Sequence, residues 1–379
     1  MALRNWLRKI FSKTAPVVKP ATDTEFTAEV VRVTEVLTHP GADRLEIAKF
    51  ELKGSGPASY EVVIGKGSLV VGSLAAYLSV DCSVPINHPS GVFKFLGERL
   101  DGKFKETYRL RAARLRGMFS QGLLVDTPVG AVFGDSVAAA YGVTYYERPV
   151  PGCPTQPGAP RVRARDVVPQ YEINSLKKVP RLFEEGEQVL VTEKIHGCNM
   201  RFGWLPRTFL GLRIGWKFFV GSHRAVKGGG TAGYYEGDVW SDSATAMALA
   251  RKTKKFPGYM FYGELFGHTF TGQRLQDLTY GRAPAAGPGL VCFDVWRTKG
   301  KAWLAQDERE DMLNAVGLAE VPVLFCGSYA AAKIATMAEG VSTIDGKTVR
   351  EGVVVEAVDG ARKKAKFVSQ GYLLRKEAA

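Results

Sequence analysis

Between Pro149 and Pro160 the chain places five prolines and two glycines in twelve residues. Proline fixes its own φ, donates no backbone hydrogen bond and restricts the residue before it. A run this dense is therefore neither a helix interior nor a central strand. It predicts an extended linker that splits the chain into residues 22–146 and 170–379, with 147–169 between them and a basic extension at 1–21. At 379 residues and 45% hydrophobic content, the chain is long enough to bury two cores.

The first part reads as all-β. Short β-rich runs at 25–34, 45–52, 61–65, 74–80 and 123–125, separated by Gly, Pro and Asp turns, predict a five-stranded barrel. Lys and Arg number 51 against 38 Asp and Glu, a net charge of +13 that favours a polyanionic partner. Arg111, Arg114, Arg116 and Phe119 are candidates for a nucleic-acid surface, since a basic cluster beside an aromatic can neutralise phosphates and stack a base. The same arginines also fit a solvated edge, with Phe119 in the core. Leu3, Trp6, Leu7, Ile10 and Phe11 fall at helical spacing beside Arg4, Arg8, Lys9 and Lys13, which suits an extension packed on protein or nucleic acid, or a membrane-surface helix. No signal-peptide core is present, and no apolar run approaches the roughly 18 residues of a membrane span. The five cysteines lack C-x-x-C spacing, which argues against a zinc site or a disulfide framework and for a reducing compartment.

The second part carries its information in charged residues placed inside apolar strands. Lys194-Ile195-His196-Gly197-Cys198-Asn199 lies between a buried strand pattern (188–193) and a second strand (200–204). Glu264 interrupts Phe261-Tyr262-Gly263-Glu264-Leu265-Phe266, and Asp294 interrupts Val291-Cys292-Phe293-Asp294-Val295-Trp296. Glu351-Gly352 opens another strand, and Lys363-Lys364-Ala365-Lys366-Phe367 follows it. Charges enter strand interiors only when they are paired, metal-bound or facing a ligand, so several such strands imply a shared polar cavity. Taken alone, the hexapeptide would also fit a surface lysine in a turn.

In their order, these elements resemble the covalent nucleotidyltransferases, the superfamily of polynucleotide ligases and capping enzymes: Lys194, Ser222 to Arg224, Glu264, Phe293-Asp294, Glu351-Gly352 and Lys364-Ala365-Lys366. K-x-H-G-x-N, with His196 where DNA ligases carry Asp, and the run Gln273-Arg274-Leu275-Gln276-Asp277-Leu278-Thr279-Tyr280-Gly281 resemble the RNA-ligase-2 type. Cys198 departs from the Thr of that pattern. The first part resembles the OB-fold RNA-binding modules attached to some aminoacyl-tRNA synthetases, and the two-part plan resembles the Deinococcus-type RNA ligases.

The resemblance implies an α+β, multidomain chain: an OB-fold-like β-barrel, then a nucleotidyltransferase (ATP-grasp-like ligase) domain with antiparallel sheets. It also implies an ATP-dependent RNA ligase using Mg²⁺ or Mn²⁺. Its partner would be RNA or an RNA-containing nicked duplex, and it would act as a monomer in the cytoplasm of a bacterial cell or phage-infected host. Lys194 would take AMP from ATP, and His196 would help discharge it to RNA. An ordinary lysine, with a pKa of about 10.4, is charged and unreactive at neutral pH, so burial and nearby cations would have to favour the free amine. Lys364 and Lys366, two apart on one strand face, would hold the α-phosphate. Glu193 and Ile195 flank the nucleophile as nucleotide contacts. Asn199 would lie near the phosphates, Arg224 near the ribose and RNA terminus, and Phe293 on the adenine. Glu264 would bind the ribose hydroxyls and serve as a second metal ligand beside Glu351. A DNA ligase, a capping guanylyltransferase and a non-catalytic RNA-binding protein remain alternatives.

Overall fold

The computed structural model describes residues 26–54, 60–97, 106–146, 168–209, 212–223, 226–227, 238–358 and 362–375. The basic extension, the Pro-rich run and Arg224 lie outside the described residues. The first domain runs β1 (Ala28–Thr38), β2 (Leu45–Glu51), β3 (Tyr60–Gly65), β4 (Leu74–Leu78), β5 (Cys82–Pro85), α1 (Lys94–Gly97), β6 (Thr107–Arg109), β7 (Ala113–Leu115), β8 (Met118–Ser120), β9 (Leu123–Val125) and β10 (Thr144–Tyr145). The five expected strands form one antiparallel sheet in the order β3-β2-β1-β4-β9.

A second layer was not legible beforehand. A small sheet, β10-β5-β6, packs with Phe93, Val137 and Tyr141 on the face of β1 and β4 opposite the barrel interior. Consequently β1 and β4 are covered on both faces. Val30 and Val31 are both fully buried, as are Ala75 and Ala76, and they divide between two apolar clusters. That explains why β4, Leu74-Ala75-Ala76-Tyr77-Leu78, is apolar throughout and does not alternate.

The second domain runs β11 (Asn174–Ser175), β12 (Gln188–Glu193), β13 (Cys198–Phe209), β14 (Leu212–Ser222), β15 (Val226–Lys227), α2 (Val239–Ala246), α3 (Leu249–Thr253), β16 (Tyr259–Gly267), β17 (Pro288–Arg297), β18 (Ala302–Trp303), α4 (Gln306–Val316), β19 (Val323–Ser328), α5 (Ala331–Ala338), β20 (Gly352–Ala357), β21 (Lys364–Val368) and α6 (Gln370–Leu374). Two sheets result: β11-β21-β20-β12-β19 and β15-β14-β13-β16-β17-β18. Val191, Val353, Val355 and Phe367 of the first sheet pack with Ile334 and Ala338 of α5. Met200, Phe202, Phe261 and Val295 of the second pack with Val239, Leu249 and Leu313 of the other helices. Each sheet thus turns one face to helices, and ion pairs such as Lys364 to Asp294, at 2.8 Å, join the two sheets across the remaining faces. Among the described residues no helix is long and apolar enough to cross a membrane.

The two domains are held together by charges anchored in residues 176–181. Arg181 donates from Nη2 to both carboxylate oxygens of Glu29, at 2.6 and 2.7 Å, and from Nε to the Lys53 carbonyl at 2.8 Å. Lys178 and Arg109 both pair with Asp81. Burial alone would raise the Asp81 pKa, but these two cations hold it below the ordinary carboxylate range. The Glu29 side chain is 7% exposed. Arg181→Ala should therefore deprive a nearly buried carboxylate of its guanidinium and cost about 2 kcal/mol. Chemical denaturation should show the loss as an earlier transition midpoint.

Candidate active site

The site forms where the chain leaves one sheet and enters the other. β12 is a central strand whose Val189, Leu190 and Val191 are at most 1% exposed, which fixes its end firmly. The Lys194 N–H donates to the Gly352 carbonyl at 3.0 Å, extending the pairing with β20 by one residue. This sets the Lys194 side chain beside Glu351, with Nζ 2.7 Å from Oε2. Gly352 has φ +151°, and a Cβ there would lie 2.1 Å from the Phe367 carbonyl oxygen. The Glu-Gly pair thus has a steric reason: β21 runs too close for any side chain at 352.

After Lys194 the chain crosses to β13. The His196 N–H donates to the Tyr280 hydroxyl at 2.6 Å, and His196 Nδ1 lies 3.5 Å from Glu351 Oε2. Gly197 passes flat against β16, where a Cβ would meet the Leu265 carbonyl oxygen at 2.1 Å. Burial works to raise the Glu351 pKa, yet Lys194 and His196 outweigh it and hold the carboxyl below its usual range. Asn199 and Glu264 sit opposite one another on β13 and β16, so their side chains share a face. For Glu264, burial dominates. Together with repulsion from Glu351, and against the opposing Lys194, it pushes the carboxyl up to about 8.

Phe293 owes its placement to an irregularity. The β16–β17 register shifts between Tyr262 and Gly263, which pair with Asp294 and Cys292, leaving Phe293 as the bulged residue. A bulge re-aims a side chain out of strict alternation. The Phe293 ring, partly exposed, meets that of Tyr171 at 4.7 Å between centroids. Lys194, His196, Asn199, Glu264 and Glu351 are thus gathered at the crossing, with Phe293 on the neighbouring strand.

Other expected residues are placed differently. The Ile195 side chain is core, 4% exposed among Phe266, Leu278 and Tyr280. The Glu193 carboxylate is buried and accepts from the Thr343 N–H at 2.8 Å and hydroxyl at 2.6 Å. Lys364 is committed to a buried ion cluster, 2.8 Å from both Asp294 and Glu356, which Arg309 and Arg362 also join. Lys366, two residues on, shares its strand face and is partly exposed. In the first domain Arg111 and Arg116 are exposed, whereas Arg114 donates to the carbonyls of Leu373 and Arg375 at the end of α6. Phe119 lines a cleft between the domains with Tyr60, Tyr77 and Lys177. Tyr280 and Tyr372 are both in contact with His196 and carry no sequence signal of it; Tyr280 lies within 273–281, but nothing local marks its hydroxyl for the His196 N–H.

The donor set suits a hard divalent cation. Glu264 and Glu351 supply carboxylate oxygens, and the buried Asn199 Oδ1 has no hydrogen-bond partner among the described residues. Among the described residues no three His, Cys, Asp or Glu side chains form a ready-made metal cage, so a cation here would complete its shell from phosphate or water.

Glu264 also gives the ligand-free protein a pH signature. A carboxyl raised from 4.5 to about 8 favours folding while protonated; the contribution is full below 4.5 and is lost as pH rises through about 8. The stability of the wild type relative to Glu264→Gln should therefore decline steadily between about pH 5 and pH 8. Denaturation midpoints of the two proteins across that window check the sign, and a constant difference would contradict it.

Residues 187–368 match the RNA ligase family model, and residues 27–127 match an OB-fold domain model. No curated protein matches the sequence. Among solved structures, an apo lysine-to-alanine variant of Naegleria gruberi RNA ligase matches with a TM-score of 0.60 at 21% identity, over 93% of this chain and 98% of that one. A glutamate-to-alanine variant of the N. gruberi enzyme with ATP and Mn matches with a TM-score of 0.60 at 20% identity, over 93% and 99%. A lysine-to-methionine variant with AMP and Mn gives 0.59 at 20%, over 93% and 98%. At such identities the likeness to solved structures is one of fold. The chain therefore carries an OB-fold domain followed by a domain that matches the RNA ligase family.

Proposed function

We propose that the chain is an ATP-dependent RNA ligase that joins 3′-OH and 5′-phosphate ends, sealing nicks in RNA-containing duplexes. The observation that carries this reading is the Lys194 amine, set against Glu351 where two sheets meet, with Glu264 of the second sheet close to both and Asn199 paired beside it. In the first step the Lys194 amine attacks the α-phosphorus of ATP; an N–P bond forms, the bond to pyrophosphate breaks and the amine gives up a proton. AMP then passes to the 5′-phosphate of RNA, and attack by the 3′-OH expels AMP and closes the phosphodiester.

The residues divide this work by position. Phe293 would stack on the adenine, Glu264 and Arg224 would bind the ribose, and Asn199 and Lys366 would face the phosphates. Lys364 would reach a phosphate only by leaving Asp294 and Glu356, so its contribution to that charge is through the cluster it anchors. A divalent cation, Mg²⁺ or Mn²⁺, held by Glu351 and Glu264 would act as a Lewis acid that neutralises phosphate charge and competes with Lys194 for Glu351. Arg111 and Arg116 would take the RNA backbone with a salt-dependent share of the affinity. We place the enzyme in the cytoplasm, acting as a monomer.

Incubation with ATP labelled at the α-phosphate tests the reading directly. The wild type should acquire a covalent label that is stable to alkali and labile to acid, as a phosphoramidate is, and Lys194→Ala should acquire none while keeping its folded circular-dichroism spectrum. Label on the folded variant, or labelling only by GTP, would overturn the assignment. The metal role has its own test: in Mn²⁺, Glu351→Asp should retain at least about ten times the ligation rate of Glu351→Ala, since Asp keeps a hard oxygen donor at shorter reach. Equal rates for the two variants would remove Glu351 from the metal site.

A further inference from the structure

His196 is gripped from three directions, and one of the groups involved comes from the far end of the chain. Its N–H is fixed by the Tyr280 hydroxyl, Nδ1 faces Glu351, and the Tyr372 hydroxyl lies 3.1 Å from Nδ1 and 3.3 Å from Nε2. The Tyr372 oxygen can therefore meet whichever ring nitrogen Glu351 leaves. Burial, reinforced by the Glu351 charge, pushes the Tyr372 hydroxyl up to about 12, so it stays protonated and able to donate near neutrality.

Tyr372 stands on α6, a helix of five residues, far too short to persist alone. It is held from outside at both ends. The Glu339 carboxylate accepts the N–H groups of Gln370 and Gly371 at 2.6 and 3.0 Å, and the Ser369 hydroxyl accepts that of Tyr372 at 2.9 Å. At the other end Arg114 of the OB-fold domain donates to the Leu373 and Arg375 carbonyls. Arg375 lies over the Tyr372 ring at 3.6 Å and bridges to Asp277 at 2.8 Å. Caps of this kind satisfy the orphan groups of a helix terminus, and here they fix one side chain against the site.

We propose that Tyr372 is a positioning residue for His196, presented by a C-terminal helix that the OB-fold domain helps to hold. This rests on the reading of Lys194 and His196 as nucleotidyl-transfer residues. The OB-fold domain thereby reaches the chemistry through protein contacts as well as through RNA.

The test measures three steps separately: lysyl-AMP formation, transfer of AMP from isolated lysyl-AMP enzyme to 5′-phosphorylated RNA, and sealing of pre-adenylylated RNA. Tyr372→Phe keeps the ring and its stacking with Arg375 and loses only the hydroxyl. It should slow, by about tenfold at saturating RNA, the same step that His196→Ala slows most, with the RNA concentration dependence unchanged. Added to His196→Ala, it should change that step by less than about twofold, because both substitutions remove one interaction. Tyr372→Leu should match Tyr372→Phe in that step even if it melts earlier. Wild-type rates for Tyr372→Phe, or a full multiplicative loss on the His196→Ala background, would overturn the proposal. Absence of lysyl-AMP in the wild type would instead overturn the ligase reading beneath it.

Discussion

The pairing of Lys194 with Glu351 organises the whole site. It needs β12 to end beside β20, a bond from the Lys194 N–H to the Gly352 carbonyl, and an oxygen 2.7 Å from the amine. One cation then faces two carboxyls in a poorly solvated space. Charge balance is met because Glu351 is held ionised while burial keeps Glu264 largely neutral near pH 7. Any arriving phosphate adds negative charge to that balance, which is why oxygen donors suited to a divalent cation sit in the same place.

The glycines of the site serve closeness of approach. At Gly197 and Gly352 a Cβ would stand 2.1 Å from a carbonyl oxygen of the neighbouring strand, and at Gly263 it would stand 2.7 Å from that of Val291. The strands that carry Lys194, Glu264 and Glu351 therefore converge more tightly than ordinary side chains allow. The His-Gly and Glu-Gly pairs are marks of this backbone crowding as much as of chemistry, and the β16–β17 bulge that turns Phe293 out of alternation lies next to Gly263.

Much of this was legible in the sequence. The five strands of the first sheet were marked by β-rich runs between turn residues, and Lys194, Glu264, Asp294 and Glu351 stood out as charges in apolar strands. What escaped were facts about partners. The second layer of the OB-fold domain rests on strands of two to four residues, too short to show a period. Lys364 and Lys366 look equivalent in a K-x-K, and only the meeting of two sheets shows that Asp294 and Glu356 claim the first. Arg114 carries the charge of an RNA contact, but a helix end some 259 residues away takes it. Tyr372 was unreadable for the same reason: its importance depends on which histidine it meets.

The hold of Arg114 on α6 also bears on how such a protein can be recombined. An OB-fold domain is usually thought of as a detachable module joined by a linker. Here the last helix of one domain is finished by a guanidinium from the other, and that helix leans on the histidine of the site. A chimera with a foreign OB-fold domain would inherit an uncapped C-terminal turn beside its nucleophile unless the β7–β8 hairpin came with it. The two domains have to be exchanged as a pair, with the short hairpin marking where they are fitted to each other.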